Sequence, residues 1–598
     1  MCREYVGGLL GIPYDWSMPP GPDPDTLAWA SAAVRRFAAA TNLLVAARRF
    51  RIVGGDPRDA AALHDLLTRL GARAAAEHEP VDQLWCLGTP EDSTPVIERE
   101  ADRPRGATLV VVDAGRHLPA VDEDAFGPVT SARPGVLAVP TLSDDVFLVS
   151  TGRDPEDDPA AEARLRWARR SMPVARAVAA ELRDGGLLRG TRIGVSMVLE
   201  PKTAVLSLLL RDAGAEVVVY AHADETDDAV ADALRHAGLT VHASSTATIA
   251  EQRGLALAML DTRPHVLLDD GSHLIRLAHQ ERPDLLPTML GAAEETTSGL
   301  RPLRVMASRG ELGIPVVAVN DARTKTFFDN RYGTGQSTVF AVLDLVDGLA
   351  PGAHRARSGG AAVVAGFGHV GEGVALVLAA LGFRVTVAET DPVRALQALF
   401  AGHAVAPLVD AVRDADLVMS ATGVADTIDL EVLRACADGA VVAVAGGVDQ
   451  EVAIQHAVAD GADRSAIGPD AERFTWPDGH HVVVLDDGGC INIAAAEGNP
   501  VEIMDLSFAV QLGAVRMLLD RGDELDRTVV PIDPAVDEAT ARVALAAFGS
   551  RPVPLPVGTA GLPLARQPGT GGVGPVRPAA QPADREPDVR THRFGDPA

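Results

Sequence analysis

The hydrophobic positions of the chain fall into short apolar runs that alternate with longer Ala/Leu-rich stretches. Apolar runs of about 4–8 residues are typical of buried strands, and the longer periodic stretches are typical of helices. This alternation predicts an α/β protein with parallel sheets covered by helices. The clearest predicted elements are strands at Thr191–Met197, Ala215–Tyr220, Ala361–Ala365 and Arg384–Ala388, and helices at Lys202–Ala213 and Val374–Leu381.

A glycine-rich turn joins one of these strands to the helix that follows it. In Gly366-Phe-Gly368-His-Val-Gly371, the first glycine permits the tight turn, the second admits a pyrophosphate, and the third lets helix and strand pack closely. Glu389 ends the next strand, where a carboxylate can accept both ribose hydroxyls of NAD and repels the 2′-phosphate of NADP. A glycine motif alone is weak evidence, but the strand, helix and acid together predict a doubly wound, Rossmann-type NAD domain.

Five further motifs follow one another between about Ala168 and Phe548. They are Glu200-Pro-Lys-Thr-Ala-Val-Leu, Leu268-Asp-Asp-Gly, Glu294-Glu-Thr-Thr-Ser-Gly, Val319-Asn-Asp-Ala-Arg-Thr-Lys-Thr-Phe-Phe-Asp-Asn-Arg-Tyr-Gly-Thr-Gly-Gln-Ser and Ala496-Glu-Gly-Asn-Pro-Val-Glu-Ile-Met-Asp-Leu-Ser-Phe. In order and spacing they resemble the adenosylhomocysteinase family. The resemblance implies an NAD domain hinged to an α/β substrate domain that binds a nucleoside.

The chemistry of that family explains why such residues occur together. A hydride passes from the 3′ carbon of the nucleoside to tightly held NAD, and the resulting ketone acidifies the neighbouring C4′–H. The 5′ group then leaves by elimination, water adds, and the hydride returns. The resemblance therefore implies an NAD-dependent hydrolase or lyase that acts on a nucleoside.

The resemblance also assigns catalytic roles. It implies that Lys325, as the base, and Asp329 oxidise the 3′-hydroxyl, that Glu295 holds the ribose hydroxyls, and that Asp270 manages protons at C4′ or C5′. A lysine can act as a base only if burial or neighbouring charge lowers its pKa toward neutrality. From the residues alone, Lys325 and Asp329 could instead form an ordinary helical ion pair, because they lie four positions apart.

The remaining implied site residues contact ligands. The residues implied to contact NAD are Gly366, Gly368, Gly371, Glu389, Thr296, Thr297, Ser298, Asn330 and Asn492. The residues implied to contact substrate are Glu200, Asn499 and Met504. No metal is expected.

The chain departs from the family at three histidines, which are replaced by Val198, Gly447 and Asn499. Valine and glycine have no titratable group, so neither can replace a general acid or base. The residues for 3′ oxidation are retained, whereas those near the 5′ position and the base have changed. This selective pattern favours an altered reaction, such as net 5′-dehydration to a 4′,5′-alkene.

Two alternatives remain open. One is a non-catalytic NAD-binding regulator, although loss of function should affect the redox residues as readily as the histidines. The other is ordinary hydrolysis of S-adenosylhomocysteine, with other groups replacing the histidines.

The N-terminal region contains an internal repeat. Val53–Gly71 aligns without a gap on Val364–Gly382, and the segment ending at Ala114-Gly115 resembles that ending at Ala445-Gly446. The glycines Gly368, Gly371 and Gly373 correspond in this alignment to Pro57, Ala60 and Ala62. The repeat predicts a degenerate Rossmann-like domain that no longer binds a dinucleotide, and the alternative is an unrelated α/β domain of similar composition.

These observations predict four regions: a degenerate repeat at 1–165, a substrate domain at 166–340 completed by 499–550, an NAD domain at 341–498, and a disordered Pro/Gly-rich tail at 551–598. The net charge of −28 argues against a nucleic-acid or anionic-membrane partner. No apolar run reaches the ~18 residues of a membrane span, and the four cysteines have no paired spacing. We expect a cytoplasmic homo-oligomer whose partner is a small nucleoside.

Overall fold

The computed structural model describes residues 23–103, 108–149, 161–445 and 450–550. Gly447 and the tail predicted at 551–598 lie outside the described residues. Within them, three mostly parallel sheets carry helices, which confirms the predicted α/β fold class. No helix in these ranges combines the length and apolar character needed to cross a bilayer.

The first sheet is built from the N-terminal region. Its strands lie in the order β2-β1-β3-β4-β7-β6-β5, and β6 pairs antiparallel with both β5 and β7. The elements are α1 (Pro24–Thr41), β1 (Arg49–Val53), α2 (Pro57–Arg69), β2 (Arg73–Ala74), β3 (Gln83–Cys86), α3 (Pro90–Ala101), β4 (Leu109–Asp113), β5 (Thr130–Arg133), β6 (Val136–Ala138) and β7 (Val146–Val149).

The second sheet begins after the first. Its first six strands lie in the order β10-β9-β8-β11-β12-β13 and are all parallel. The elements are α4 (Ala161–Arg170), α5 (Pro173–Asp184), β8 (Arg192–Ser196), α6 (Pro201–Asp212), β9 (Glu216–Tyr220), α7 (Asp228–His236), β10 (Thr240–His242), α8 (Ile249–Asp261), β11 (Val266–Asp269), α9 (His273–Glu281), β12 (Gly291–Glu294), α10 (Thr297–Ser308), β13 (Val316–Ala318) and α11 (Arg323–Thr326).

The third sheet carries the glycine-rich turn, and its strands lie in the order β16-β15-β14-β17-β18-β21-β20-β19. A short π-helix, Asp329–Gly333, precedes it. The elements are α12 (Thr334–Asp347), β14 (Ala361–Ala365), α13 (His369–Ala380), β15 (Arg384–Ala388), α14 (Pro392–Phe400), β16 (Ala404–Val405), α15 (Leu408–Ala411), β17 (Leu417–Ser420), α16 (Leu430–Ala435), β18 (Ala440–Val444), α17 (Ile454–Ala459), β19 (Asp463–Gly468), β20 (Ala471–Thr475), β21 (His481–Leu485) and α18 (Ile491–Ala494).

The chain then returns to the second sheet. Helix α19 (Val501–Arg521) is followed by β22 (Val529–Pro531) and α20 (Pro534–Ala547). Strand β22 pairs in parallel with β13 and adds a seventh strand to that sheet. Helix α19 is buried along most of its length, so the last segment belongs to the core of the second sheet.

The N-terminal sheet repeats the topology of the third sheet. Without the two-residue β16, the order β15-β14-β17-β18-β21-β20-β19 matches β2-β1-β3-β4-β7-β6-β5 strand for strand. In each sheet, the last two strand pairings at one end are antiparallel, and the pairing next to them is parallel. This shared topology is the one that a Rossmann-like copy predicts, and its loss of dinucleotide binding stays a prediction.

The gap-free alignment of the repeat is wrong by one residue at the turn. Val53 pairs with the last residue of β3, as Ala365 pairs with the last residue of β17, so these two positions are equivalent. Helix α2 has 13 residues and α13 has 12, so the extra residue is taken up in the helix. Asp56, and not Pro57, therefore occupies the helix-capping position of Gly368.

The copy and the third sheet share one apolar core. Phe37 and Trp85 of the copy belong to the same buried cluster as Val339 and Val364. Where the two sheets meet, the buried Arg35 on α1 also pairs with Asp344 and Asp347 on α12. The N-terminal copy is therefore packed against the third sheet by hydrophobic contact and by ion pairs.

Candidate functional site

A large cavity of about 1220 Å³ lies at the carboxyl ends of the second and third sheets. This is larger than typical ligand pockets of ~300–1,000 Å³, so it has room for a dinucleotide and a second small molecule. Every site residue predicted from the sequence lines it, except Gly371. Parallel sheets bind ligands at this edge because the strand ends and helix N-termini converge there.

The glycine-rich turn opens into this cavity. Gly366 has φ +90°, a conformation that favours glycine, and a Cβ on Gly371 would lie 2.0 Å from the Gly366 carbonyl oxygen. A Cβ on Gly368 would meet only Arg394, at 3.5 Å, so its open side faces the cavity. Gly371 therefore packs the turn, and Gly368 leaves the N-terminus of α13 accessible to a phosphate. The turn fits NAD.

Glu389 lies beside this turn at the end of β15. Its carboxylate accepts hydrogen bonds from the Phe367 N–H at 2.6 Å and from the Asp391 N–H at 2.8 Å. Burial opposes ionisation, but the backbone donors outweigh it and lower the pKa of Glu389. An ionised carboxylate is therefore held where the sequence predicts ribose recognition.

Lys325 is the centre of a buried cluster of charges. Its Nζ lies 2.6 Å from Asp329 and donates to Asn330 at 3.0 Å and to Asn320 at 3.4 Å. Only 2% of the Lys325 side chain is exposed. The pair is an i,i+4 ion pair, as the alternative interpretation holds, but it is buried in the cavity wall and not on a surface helix.

The pKa of Lys325 differs from the expectation for a base. Burial lowers the pKa, but Asp329, Glu295 and Asp270 outweigh burial and hold it above its ordinary value. The expected lowering toward neutrality is therefore wrong for this arrangement, because three carboxylates stabilise the ammonium form.

The carboxyl groups around Lys325 shift in the complementary direction. Burial raises the pKa of Glu295 to about 7, although Lys325 opposes the shift. Burial likewise raises the pKa of Asp270, again against the effect of Lys325. The Glu295 carboxyl can therefore exchange a proton near neutral pH, which is a property expected of general acids and bases.

Glu295 is held by α19. Ser507 donates to one of its carboxylate oxygens, and Gln511 donates to the other at 2.7 Å. The helix comes from the last segment of the chain, about 210 residues later, so sequence reasoning did not identify either donor.

Two acids directly precede the predicted catalytic ones and have a structural task. Glu294 accepts hydrogen bonds from the N–H groups of Gly271 at 3.0 Å and Ser272 at 2.9 Å, and Asp269 accepts from Ile275 at 2.8 Å. Successive strand residues point to opposite faces, so one acid of each pair faces the cavity and the other holds the turn below it. The adjacent acids in Asp269-Asp270 and Glu294-Glu295 were the feature of the sequence that could have indicated this division between a structural and a cavity-facing acid.

Thr296, Thr297 and Ser298 lie at the start of α10. Thr296 caps the helix by accepting from Gly299, and its hydroxyl donates to Glu294 at 2.9 Å. Ser298 donates to Thr296 at 3.2 Å. All three line the cavity, and their NAD contacts stay predictions.

Asn499 joins several site residues. Its amide donates to Asp329 at 2.6 Å, and its carbonyl oxygen accepts from Ser337 at 2.8 Å and from Asn492 at 3.2 Å. The replacement of a histidine by Asn499 therefore places a neutral amide, which cannot titrate, directly on the ion pair of Lys325.

The other residues predicted to contact substrate, Met504 and Glu200, differ in the contacts that they make within the protein. Met504 lies on the first turn of α19 and lines the cavity. Glu200 caps α6 by accepting from the N–H groups of Lys202 and Thr203, and it also pairs with Lys202 Nζ at 2.8 Å. Both contacts with substrate stay predictions. Val198 lines the same cavity, where it presents an apolar side chain.

The N-terminal copy has a carboxylate at the position that corresponds to the open Gly368. The Asp56 carboxylate accepts from the Arg58 N–H at 2.8 Å and so fills the N-terminus of α2, where a phosphate would bind. A helix end already capped by a carboxylate repels a pyrophosphate.

Comparison with known proteins agrees with this geometry. A family model described as "S-adenosyl-L-homocysteine hydrolase, NAD binding domain" matches residues 338–498. Adenosylhomocysteinase from Thermotoga maritima is 39% identical over 389 residues, which are 65% of this chain and 95% of that protein. S-inosyl-L-homocysteine hydrolase from Methanopyrus kandleri is 37% identical over 401 residues, which are 66% of this chain and 92% of that protein. The chain belongs to the adenosylhomocysteinase family of NAD-dependent enzymes.

Proposed function

We propose that the protein oxidises the 3′-hydroxyl of a nucleoside and uses the resulting ketone to eliminate a 5′ substituent. The observation that carries this proposal is the buried cluster in which Lys325 faces Asp329, Glu295 and Asp270 in the cavity that also contains the glycine turn. When bound, NAD supplies an acceptor for the hydride that leaves the 3′ carbon.

In this proposal, Lys325 takes the proton of the 3′-hydroxyl. Three carboxylates stabilise the ammonium form of Lys325. Lys325 can therefore act as a base only after part of the negative charge on these carboxylates has been neutralised. The raised pKa values of Glu295 and Asp270 provide this, because protonation of either removes a negative charge that stabilises the ammonium. The protonation states of Lys325, Glu295 and Asp270 therefore depend on one another.

Asp270 is proposed to take the acidified C4′ proton. It follows the end of β11, lines the cavity and has a pKa raised by burial. Glu295, held by Ser507 and Gln511, is proposed to fix the ribose hydroxyls. A fixed ring keeps the C4′–H aligned with its base, which is the main contribution that positioning can make.

We further propose that the product is the 4′,5′-alkene, so that water does not add. Val198 lines the cavity where the family has a histidine, and among the described lining residues the imidazole is His369, which belongs to the phosphate turn. An apolar wall does not activate water for addition, and the 5′-hydroxyl can leave as water with the proton that Asp270 takes from C4′.

The second candidate is ordinary hydrolysis of the thioether nucleosides named in the relatives. It is favoured by the identity of 39% over 95% of the Thermotoga maritima adenosylhomocysteinase. S-inosyl-L-homocysteine hydrolase from Methanopyrus kandleri is 37% identical over 92% of its length, so both adenosine-type and inosine-type substrates belong in the test.

The test incubates NAD-loaded protein with adenosine, inosine and the two S-nucleosidyl homocysteines, and follows NADH absorbance and product mass. The proposal expects transient NADH and a nucleoside product lighter by one water. Release of homocysteine together with the intact 5′-hydroxy nucleoside, to which water has added, would instead establish hydrolysis, and no NADH with any nucleoside would overturn the proposal.

Lys325→Met provides the matched variant. We expect turnover to fall by at least ~10³-fold, since the base and the charge balance of the cluster are both lost. Arg282→Met, which removes a surface cation paired with Asp261, should retain wild-type turnover. Full turnover in Lys325→Met would remove the proposed base.

A further inference from the structure

The chain contains only two lysines, Lys202 and Lys325, among 54 basic residues. Both side chains are 2% exposed, and both line the cavity. Every exposed basic position is therefore filled by arginine, and lysine occurs only where a compact ammonium with three protons is buried. Lys325 is accounted for by the proposed chemistry, whereas Lys202 is not.

The Lys202 ammonium is fully engaged. It lies 2.8 Å from Glu200, donates to the Glu497 carbonyl at 2.7 Å, and donates to the Asn42 side chain at 3.1 Å. An ammonium has three protons, so these three acceptors leave none for a ligand. Lys202 therefore acts as a clamp between α6, the loop before α19 and the N-terminal copy.

Asn42 is the contribution of the N-terminal copy to this clamp. It ends α1 in the left-handed conformation, with φ +50°, which asparagine tolerates better than most residues. Besides Lys202, its side chain donates to the Gly498 carbonyl at 3.4 Å, and its own carbonyl accepts from Val501 at 2.9 Å. Gly498 lines the cavity and directly precedes Asn499.

The segment around Asn42 is fixed on both sides. The Thr41 carbonyl accepts from Trp167 at 2.8 Å and from Arg133 at 3.2 Å. Further along, the Val45 N–H donates to Gln336 at 2.9 Å, and the Leu44 N–H donates to Glu502 at 3.0 Å. Gln336 lies on α12, which begins directly after the Lys325 cluster, and Glu502 lies on α19, which begins directly after the loop that contains Asn499.

From these contacts, we infer that Asn42 of the N-terminal copy is a positioning residue for the substrate cavity, acting through Lys202 on Glu200 and the 497–499 loop. The copy, which has lost its own anion site, thereby provides a fixed wall for the active one. The effect on turnover rests on the proposed function, whereas the effect on Lys202 does not.

The first experiment uses the two lysines as reporters. Wild type and Asn42→Gly, which keeps the left-handed backbone but removes the side chain, are treated with an amine-acylating reagent, and peptide masses are followed with time. We expect Lys202 to react at least tenfold faster in Asn42→Gly, with Lys325 unchanged within twofold as an internal control. An unchanged Lys202 rate in Asn42→Gly would overturn the inference.

A second variant separates positioning from general loosening of the copy. Asp56→Ala removes the cap of α2, away from the cavity, and should change neither lysine. If Asp56→Ala exposes Lys202 as much as Asn42→Gly does, the contact has no specific role and the inference fails.

Turnover gives the functional readout. Asn42→Gly should raise KM for the nucleoside at least fivefold with kcat within twofold of wild type. Asn42→Asp, which keeps an acceptor for Lys202 and tolerates the same backbone, should restore most of the affinity. Equal KM values for wild type and Asn42→Gly would refute the positioning role, whereas absence of turnover in all proteins would refute only the proposed function and leave the labelling result standing.

Discussion

At the scale of single residues, burial of carboxyl groups in the cavity wall raises their pKa and makes the stability of the protein depend on pH. Glu295 has a pKa of about 7 because burial disfavours its ionised form. The folded protein therefore binds a proton at this site between about pH 4.5 and 7 that the unfolded chain, with an ordinary carboxyl, releases. The stability associated with this proton is complete at low pH and is lost as pH rises through 7.

This predicts the behaviour of Glu295→Gln, which mimics the protonated carboxyl at every pH. The free energy of unfolding of the variant minus that of wild type should increase by about 3 kcal/mol as the pH rises from about 5 to about 8. Gln511 has an unused buried carbonyl oxygen that can receive the new amide after a flip. Denaturant unfolding at several pH values measures the difference, and a difference independent of pH would contradict the raised pKa.

The residue scale also shows a limit of the sequence. The motif containing Lys325 was recognisable, but the direction of its pKa shift was not. That direction depends on the positions of Asp270 and Glu295, which arrive from strand ends 30 or more residues away in sequence. Only the folded arrangement sets the balance between burial, which lowers the pKa, and three carboxylates, which raise it.

At the scale of elements, the turn between β14 and α13 separates packing from binding. A Cβ at Gly371 would strike the Gly366 carbonyl at 2.0 Å, whereas a Cβ at Gly368 would meet only Arg394. Gly371→Ala should therefore lose both NAD and thermal stability. Gly368→Ala should keep a midpoint near that of wild type and lose NAD, because the methyl group occupies the side open to the phosphates.

Acid-released NAD and thermal unfolding, measured on the same preparations, check this pair. If Gly368→Ala binds NAD as wild type does, the phosphate position assigned to the turn is incorrect. If Gly371→Ala is as stable as wild type, the close contact with Gly366 is not maintained in solution.

Elements were the part of the fold best predicted from sequence. Strands β14 and β15 have the predicted bounds, β8 is one residue shorter than predicted at each end, and β9 begins one residue later than predicted. Helix α13 begins five residues earlier than predicted, because its first turn is rich in glycine and lacks the apolar period. The glycines belong to the binding turn, so function had weakened the local pattern there.

At the scale of the whole molecule, the two copies of the fold predict the cofactor count. One helix N-terminus is open at Gly368 and the other is filled by the Asp56 carboxylate. We expect one NAD per chain, because the helix N-terminus of the copy is already occupied by a carboxylate. Two NAD per chain, by acid release and absorbance, would show that the copy still binds.

Asp56→Gly serves as the matched variant for this count. It reopens the helix N-terminus, but Pro57 at the start of α2 still offers no N–H to a phosphate, so the count should stay at one. A gain of a second NAD would mean that the cap alone had abolished binding.

The sequence by itself determined the α/β class, the NAD turn, the family and the membership of the active cavity, because each is encoded by local period or by motifs of fixed spacing. The tertiary structure decided the features that join distant segments: the raised pKa of Lys325, the support of Glu295 by Ser507, and the contact of Asn42 with Lys202. The physical reason is that burial and charge at a site are sums over neighbours in space, and local sequence patterns do not specify those neighbours.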